Sequence, residues 1–398
     1  MTCSYQLSMC LYRQCSLFLR VGLIAVLLAV LLGGLTPVWA ADDNYSVNAG
    51  QNKAQRQGPF SLEEVAGFQQ PWSLAPLPDG GVLVTEKSGN LYQVEDNGHK
   101  MPIAGLPEVY AQGQNGLLAV ALAPDFSTSQ QLYLSYIAPK DEGGVLSLLR
   151  ATLVTGTSEA KLQDAQLIWQ QQQASTGGHP GGIILFAPDG QSLFLTAGER
   201  MLGDPAQDLD DARGKILHLG LDGTVPANNP WADAQGERAY VWSYGHRNPY
   251  GLAFDSQQQL WSHEMGPKGG DEFNLIQAGK NYGWPLVSNG DQYDGRPIPD
   301  HQTRPDLEAP LLYWTPVISP SGLAFYKGLY EPWQGSALIG GLSAQVLVRV
   351  AFDEQGRPYE ADRFAMGQRI RDVGLGPEGQ IWVLEDAPSG RLLRLQPN

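Results

Sequence analysis

The sequence predicts an all-β chain folded as a six-bladed β-propeller, and three observations predict it. One pattern recurs six times: an apolar stretch, a Pro-Asp-Gly-like turn, then a strand of alternating or aromatic character. The recurrences begin roughly 44 to 71 residues apart, which fits one four-stranded blade each with insertions. Between them there is no convincing amphipathic helical pattern of the kind that crosses over a parallel sheet.

In chain order the copies are PWSLAPLPDGGVLVTE from Pro71, NGLLAVALAPDFSTSQQLYLSY from Asn115, PGGIILFAPDGQSLFLTAGE from Pro180, NPYGLAFDSQQQLWSHEMGP from Asn248, SPSGLAFYKG from Ser319 and IRDVGLGPEGQIWVLED from Ile370. Each reads as a hairpin, and in the copies with the full Pro-Asp/Glu-Gly turn, at Pro78, Pro188 and Pro377, the turn is written in its residues: Pro presets φ, Asp or Glu follows, and Gly takes the left-handed position. High Gly and Pro counts, 47 and 28 in 398 residues, agree with many short strands. The last strand, GRLLRLQPN, is expected to pair with N-terminal material, because closing the ring removes an exposed sheet edge. Residues 61–398 form the single propeller domain, with no second domain.

The first forty residues differ. Arg13 and Arg20 precede the uncharged apolar run Val21 to Leu32, and Val38-Trp39-Ala40 ends just before Ala41-Asp42-Asp43. Residues 1–40 read as a cleaved signal peptide, so the mature chain is periplasmic or secreted, with no stable membrane insertion. Residues 41–60, polar and rich in Gln, Asn and Gly, read as a flexible lead-in. Cys3, Cys10 and Cys15 all lie in the leader, so the mature domain gains nothing from disulfides. Losing two arginines and no acid takes the formal charge from −15 to −17, which argues against a nucleic-acid partner.

Propellers bind ligands where inner strands and their loops converge on the axis, so unusual polar residues there are the place to look for chemistry. Five segments stand out. AQGQNGLL sets Gln114 among glycines just before a blade, where a glutamine also serves as a turn cap. STGGHPGG flanks His179 with glycines, so backbone and ligand can approach an imidazole that titrates near neutrality, as a general base needs. SYGHRNPYG brings Arg247, a planar fork suited to carboxylates and quinone oxygens, and Asn248 to the start of an inner strand. In HEMGPKGGDEFNLIQAGKNYGWP, Gly266-Pro267 offers carbonyls in a constrained turn, and Asp271, Glu272 and Tyr282 add hard oxygens that suit calcium rather than zinc or copper. GQRIRDV alternates Arg369 and Arg371, which period two places on one face as an anion clamp or stacking platform. Each of these also has an ordinary structural use, as a loop histidine, a surface turn or exposed strand arginines.

In combination and in order, GQNGLL, SYGHRNP, GPKGGDE, KNYGWP and QRIRDV resemble the soluble pyrroloquinoline quinone (PQQ)-dependent aldose sugar dehydrogenases of the glucose/sorbosone dehydrogenase group, from about Pro71 to Leu395. The resemblance implies oxidation of the anomeric carbon of aldose sugars to lactones, with His179 as the base and PQQ as hydride acceptor. It implies that Arg247 stabilises charge on the quinone, and that Gln114, Asn248, Tyr293, Arg369 and Arg371 contact the cofactor. The carbonyls of Gly266 and Pro267 match ligands of a calcium that binds PQQ, and Glu272 and Tyr282 those of a second, structural calcium. No haem attachment motif is present, so a separate electron acceptor is implied. Three positions depart from the family pattern. Ser343 stands where Lys or Arg is usual, Gly178 where Asn or Asp is usual, and Ile183 where Arg is frequent. Two alternatives are a calcium-dependent lactone hydrolase and a non-catalytic carbohydrate- or protein-binding propeller. Clustering of the acids in one segment counts against the first, and tight PQQ uptake would exclude the second.

Overall fold

In a computed structural model, residues 45–56, 58–156 and 159–397 are described, and the expected leader lies outside the described residues. Strands of three to thirteen residues build six blades. The first comprises Pro71–Pro76, Val82–Glu86, Asn90–Val94 and Lys100–Ala104; the second Leu117–Leu122, Gln131–Lys140, Gly143–Thr155 and Ala160–Gln170. The third holds Gly181–Phe186, Ser192–Ala197, Lys215–Gly220 and Val241–Tyr244, and the fourth Pro249–Phe254, Leu260–Glu264, Asp271–Leu275 and the three-residue Leu312–Trp314. The fifth is Pro320–Phe325, Ala337–Gly341, Val346–Phe352 and Pro358–Ala365. Among the described residues the only α-helix is the four-residue Phe126–Ser129, and no helix is long and apolar enough to cross a membrane.

The expected closure is present. In the sixth blade Ile370–Leu375, Ile381–Glu385 and Gly390–Pro397 come from the C-terminus, while the outermost strand, Phe60–Phe68, comes from the N-terminus. It pairs antiparallel with the final strand from Phe60 opposite Pro397 to Phe68 opposite Gly390, so both chain ends are locked in one sheet. The six inner strands touch in sequence, and the sixth returns to the first.

The turn acids work as their chemistry implies. Asp189, in a Pro-Asp-Gly turn, and Asp255 and Asp353, in other hairpin turns, each accept the N–H two residues on, at 2.8–2.9 Å, and Gly190 takes φ 68°. The side of each strand that faces a neighbouring blade is apolar, and aromatic pairs such as Trp261 stacked on Phe273 at 4.8 Å fill the wedges.

One feature of the inner strands carries no sequence signature. Every one of the six has a register irregularity at its first residues, as between Pro71 and Ser73, Gly181 and Ile184, Pro249 and Gly251, or Ile370 and Asp372. A bulge bends a strand and re-aims its side chains. Six bulges at the same end splay the polar residues just ahead of the strands around one mouth of the axis.

The lead-in expected to be flexible is, in its described part, tied to the ring. Val47–Asn48 adds a parallel strand to the fourth blade, opposite Leu312 and Tyr313. Asn48 exchanges hydrogen bonds with the backbone of Thr315, and Arg363 donates to the carbonyls of Ala49 and Asn52. Its polar composition reflects this stitching, since backbone groups on outer blade edges need partners.

Candidate active site

His179 lies in the loop before the third inner strand, held in a left-handed conformation, φ 52°, between glycines. Two other loops grip it. Gln114 accepts its backbone N–H at 2.8 Å, and Asn248 accepts that of Gly181 at 3.2 Å. Asn115 joins in by donating to the carbonyls of Gln112 and Gly177. Gly178 has a physical reason: a Cβ there would meet the Gln114 carboxamide oxygen at 2.8 Å. The departure at this position therefore makes room for a glutamine that positions the histidine.

The imidazole is buried and donates from Nδ1 to Oε1 of Glu199 at 2.5 Å, while Glu199 Oε2 accepts the N–H of Gly203 at 2.5 Å. Burial lowers the His179 pKa, and the hydrogen bond to Glu199 offsets it only in part, with Arg247 adding to the depression. Burial works to raise the Glu199 carboxyl, but the bonds from His179 and Gly203 win and hold it below its ordinary value. The pair is therefore a neutral imidazole beside a carboxylate. With Nδ1–H committed to Glu199, the lone pair sits on Nε2, the atom left to take a proton.

Arg247 is 4% exposed, and among the described residues it makes no ion pair. Its guanidinium donates to the carbonyls of Met265 at 2.9 Å and Gly266 at 3.3 Å and to the Tyr293 hydroxyl at 3.2 Å. It lies over the Trp284 ring at 5.3 Å and the Tyr293 ring at 5.8 Å, and its buried Nε has no protein partner. Its backbone carbonyl accepts the N–H of Glu199, so cation and base share one joint. A buried cation with no carboxylate marks a place where negative charge would be stabilised.

Gly266 and Pro267 form the turn beneath Arg247. A Cβ on Gly266 would come within 2.1 Å of the Gly269 carbonyl, so only glycine fits. Asp271 is buried and ties the turn down, accepting N–H groups from Gly266, Ile318 and Ser319; burial pushes its pKa to about 7.

Across the mouth, Arg369 and Arg371 do lie together, because both hold Asp386, at 2.6 and 2.7 Å. Arg371 stacks over Trp72 at 4.3 Å and stands 5.9 Å from Tyr250, so residues of the first, fourth and sixth blades meet at the axis. A cavity of about 10 Å³ below them, bordered by Ser73, Ile183, Tyr250, Ser321 and Asp372, has room for about one water, so the axis is closed there. Ser343 pairs its hydroxyl with that of Ser319 at 2.8 Å and brings no cation to the rim.

Glu272, opposite Glu264 in the fourth blade, and Tyr282 make none of these contacts. Glu272 contacts His301 at 3.2 Å and Asn274 at 3.0 Å, whereas the Tyr282 hydroxyl is spent on the Leu275 carbonyl and the Gln277 N–H. The buried Asn274 Oδ1 and His301 Nδ1 have no protein partner. Sequence reasoning missed Glu199, Asp386 and Asn274, and also Arg200, a buried arginine beside Glu199 whose pKa burial lowers to about 10. Single acids and amides scattered between strands carry no spacing that would reveal them.

A family model described as glucose/sorbosone dehydrogenase matches residues 68–394. The chain is 38% identical to aldose sugar dehydrogenase YliI of Escherichia coli, over 90% of this chain and 95% of that one. The crystal structure of the soluble aldose sugar dehydrogenase from E. coli in the apo-form superposes with a TM-score of 0.79 at 38% identity, covering 85% of this chain and 100% of that one. The PQQ-bound aldose sugar dehydrogenase of Streptomyces coelicolor superposes with a TM-score of 0.69 at 27% identity, over 85% of this chain and 98% of that one.

Proposed function

This chain belongs to the glucose/sorbosone dehydrogenase family, and we propose that it oxidises the anomeric carbon of aldose sugars to lactones with PQQ and calcium as cofactors. The observation that carries the reading is the buried, carboxylate-free guanidinium of Arg247 joined to the neutral His179–Glu199 pair. A base that removes a hydroxyl proton and a cation that steadies the negative charge formed beside it are the two groups this oxidation asks of the protein.

The residues present fit PQQ. It carries three carboxylates, and Arg247, Arg369 and Arg371 converge on the mouth with Gln114, Asn248 and Tyr293 around them. Asp386 already engages two of those arginines, and Ser343 adds no charge, so fewer free cations face the cofactor than three guanidiniums suggest. The donor set also fits calcium. Carbonyls of Gly266 and Pro267 are hard oxygens, and the unpartnered Asn274 Oδ1 beside Glu272 supports the reading of a second, structural ion there. Tyr282 could serve that site only through its carbonyl, since its hydroxyl is occupied.

When bound, PQQ supplies a two-electron hydride acceptor. His179 Nε2 takes the proton of the anomeric hydroxyl, and Glu199 holds the ring in the tautomer that can. Arg247 stabilises the charge that develops on the acceptor side. Gln114 holds the His179 backbone and Asn248 that of Gly181, two residues on, so the base keeps its aim. Electrons leave to a separate acceptor. We propose that residues 1–40 direct export and that residues 61–398 are the catalytic domain, which places the enzyme in the periplasm or outside the cell.

Reconstitution tests this. Purified apoprotein given PQQ and calcium should take up the quinone and reduce a dye only when an aldose is present. His179→Ala should lose turnover while its circular dichroism is unchanged. No quinone absorbance, and no activity on any aldose, would sink the reading.

A further inference from the structure

Behind Arg247 lies a second polar network that the reaction itself does not touch. Glu264, at the end of the second strand of the fourth blade, is 4% exposed. Its Oε2 accepts the backbone N–H of Arg247 and, at 3.3 Å, that of Asn248; its Oε1 accepts Nδ1–H of His246 at 2.8 Å. His246 Nε2 in turn accepts the Ser243 hydroxyl at 2.8 Å, and its ring stacks on Tyr282 at 4.7 Å. Ser243, His246 and Glu264 thus have the connectivity of a hydrolytic triad, but Ser243 and His246 are fully buried, so no substrate can reach the hydroxyl.

What the chain does with this arrangement is different. Two successive backbone N–H groups converging on one oxygen make an anion-binding nest, here filled by the protein's own carboxylate. The two residues that donate them are the ones whose side chains face the site. No carboxylate hydrogen-bonds the guanidinium itself, which rests on carbonyls, a phenol and two aromatic rings, so its aim depends on how its backbone is held.

We propose that Glu264 is a positioning residue that sets the aim of Arg247 and Asn248, with His246 and Ser243 as its brace. The functional meaning rests on the PQQ reading given above; the geometric claim does not.

Two measurements test it, and they fail separately. Crystal structures of apo Glu264→Gln should show the guanidinium moved off the carbonyls of Met265 and Gly266, because the Gln amide cannot accept both N–H groups and the His246 donor. An unmoved Arg247 overturns the proposal whatever the cofactor. In PQQ titrations, Glu264→Gln should weaken uptake on the order of ten- to a hundredfold, the scale of an ångström-sized misplacement. In an Arg247→Ala background the same change should cost clearly less than in the wild type, because coupled sites are non-additive and only the effect through Asn248 remains. Multiplying effects would mean that Glu264 acts independently of Arg247 and would overturn the proposal. His246→Asn keeps a donor near Nδ1, and His246→Leu does not; both lose the ring on Tyr282. Asn should retain PQQ affinity and Leu should lose it, and equal losses also overturn the idea. This pair keeps the test open if Glu264→Gln does not fold. If wild-type protein takes up no PQQ, the functional reading fails while the crystallographic comparison still decides the geometry.

Discussion

Nδ1 of His179 lies 2.5 Å from Oε1 of Glu199, with side-chain exposures of 7% and 1%. Burial has lowered the histidine pKa below its ordinary 6.5, so the imidazole stays neutral at pH values where a free histidine is protonated. The neutral form is the base. The acid limb of kcat/KM for the free enzyme should therefore lie below pH 6.5. Glu199→Gln removes the charge that favours imidazolium, so the limb should move lower still while kcat falls about tenfold or more. A limb above 6.5, or an upward move in the variant, contradicts the assignment. Stability follows the same sign. Folded-state values of both groups are depressed, so the unfolded chain binds more protons, and stability contributed by the pair is lost as pH falls through them.

Arg371 and Asp386 make a different bargain. Coulombic attraction and hydrogen bonds from Arg371 and Arg369 hold the Asp386 carboxyl below its ordinary value against the opposing effect of burial. Arg371→Ala should weaken PQQ binding roughly ten- to a hundredfold, the worth of about 1.5–3 kcal/mol for a bond to a charged group. Asp386→Asn should do the reverse: with the internal anion gone, affinity rises and becomes more salt-dependent, while the melting temperature drops. Titrations at low and high salt check both. Asp386→Asn weakening uptake would mean that the carboxylate orients the arginines more than it competes for them.

How much of this was legible depends on whether a residue's role is local. The Asp189 turn, the left-handed Gly190 and the closure of Gly390–Pro397 on N-terminal chain follow from neighbours in sequence or from the general cost of a bare edge. His179, Arg247, Arg369 and Arg371 sit in short motifs that single them out in the sequence. Glu199 is 20 positions from the histidine it serves, and Asp386 is 15 from Arg371. Their partnership exists only after bulged strands have met. The stitching of 47–55 was not legible for the same reason: polar segments that satisfy backbone groups far along the chain resemble, in composition, those that satisfy none.

That stitching should be worth measuring. Arg363 is 7% exposed and pairs with Glu360 at 2.7 Å while donating to Ala49 and Asn52. Arg363→Ala leaves a buried carboxylate and two carbonyls without their donor, a loss of about 3–5 kcal/mol. Denaturant unfolding should show the midpoint falling with PQQ affinity unchanged, since this corner is on the outer edge of the fourth and fifth blades. A change below about 1 kcal/mol would mean that the lead-in adds nothing to the ring.

The second calcium position gives a separable prediction. In the proposed function the ion at Gly266 and Pro267 would be shared with the cofactor, so in protein free of PQQ the calcium response should come from Glu272. There Oε2 accepts from Asn274 at 3.0 Å, and buried Asn274 Oδ1 has no protein partner, so a hard oxygen is free to meet a cation. Binding to the folded state alone adds about 2.7 kcal/mol at a hundredfold excess over Kd. Apoprotein melted in EGTA should therefore unfold at a lower temperature than the same protein in millimolar calcium. Glu272→Gln should abolish that increment and leave the EGTA value within a few degrees, because Gln can still meet Asn274 and His301. If the wild-type melting temperature ignores calcium, the ion does not bind at Glu272. If Glu272→Gln keeps the full increment, the ion binds elsewhere, and the unpartnered Asn274 oxygen must be satisfied by water.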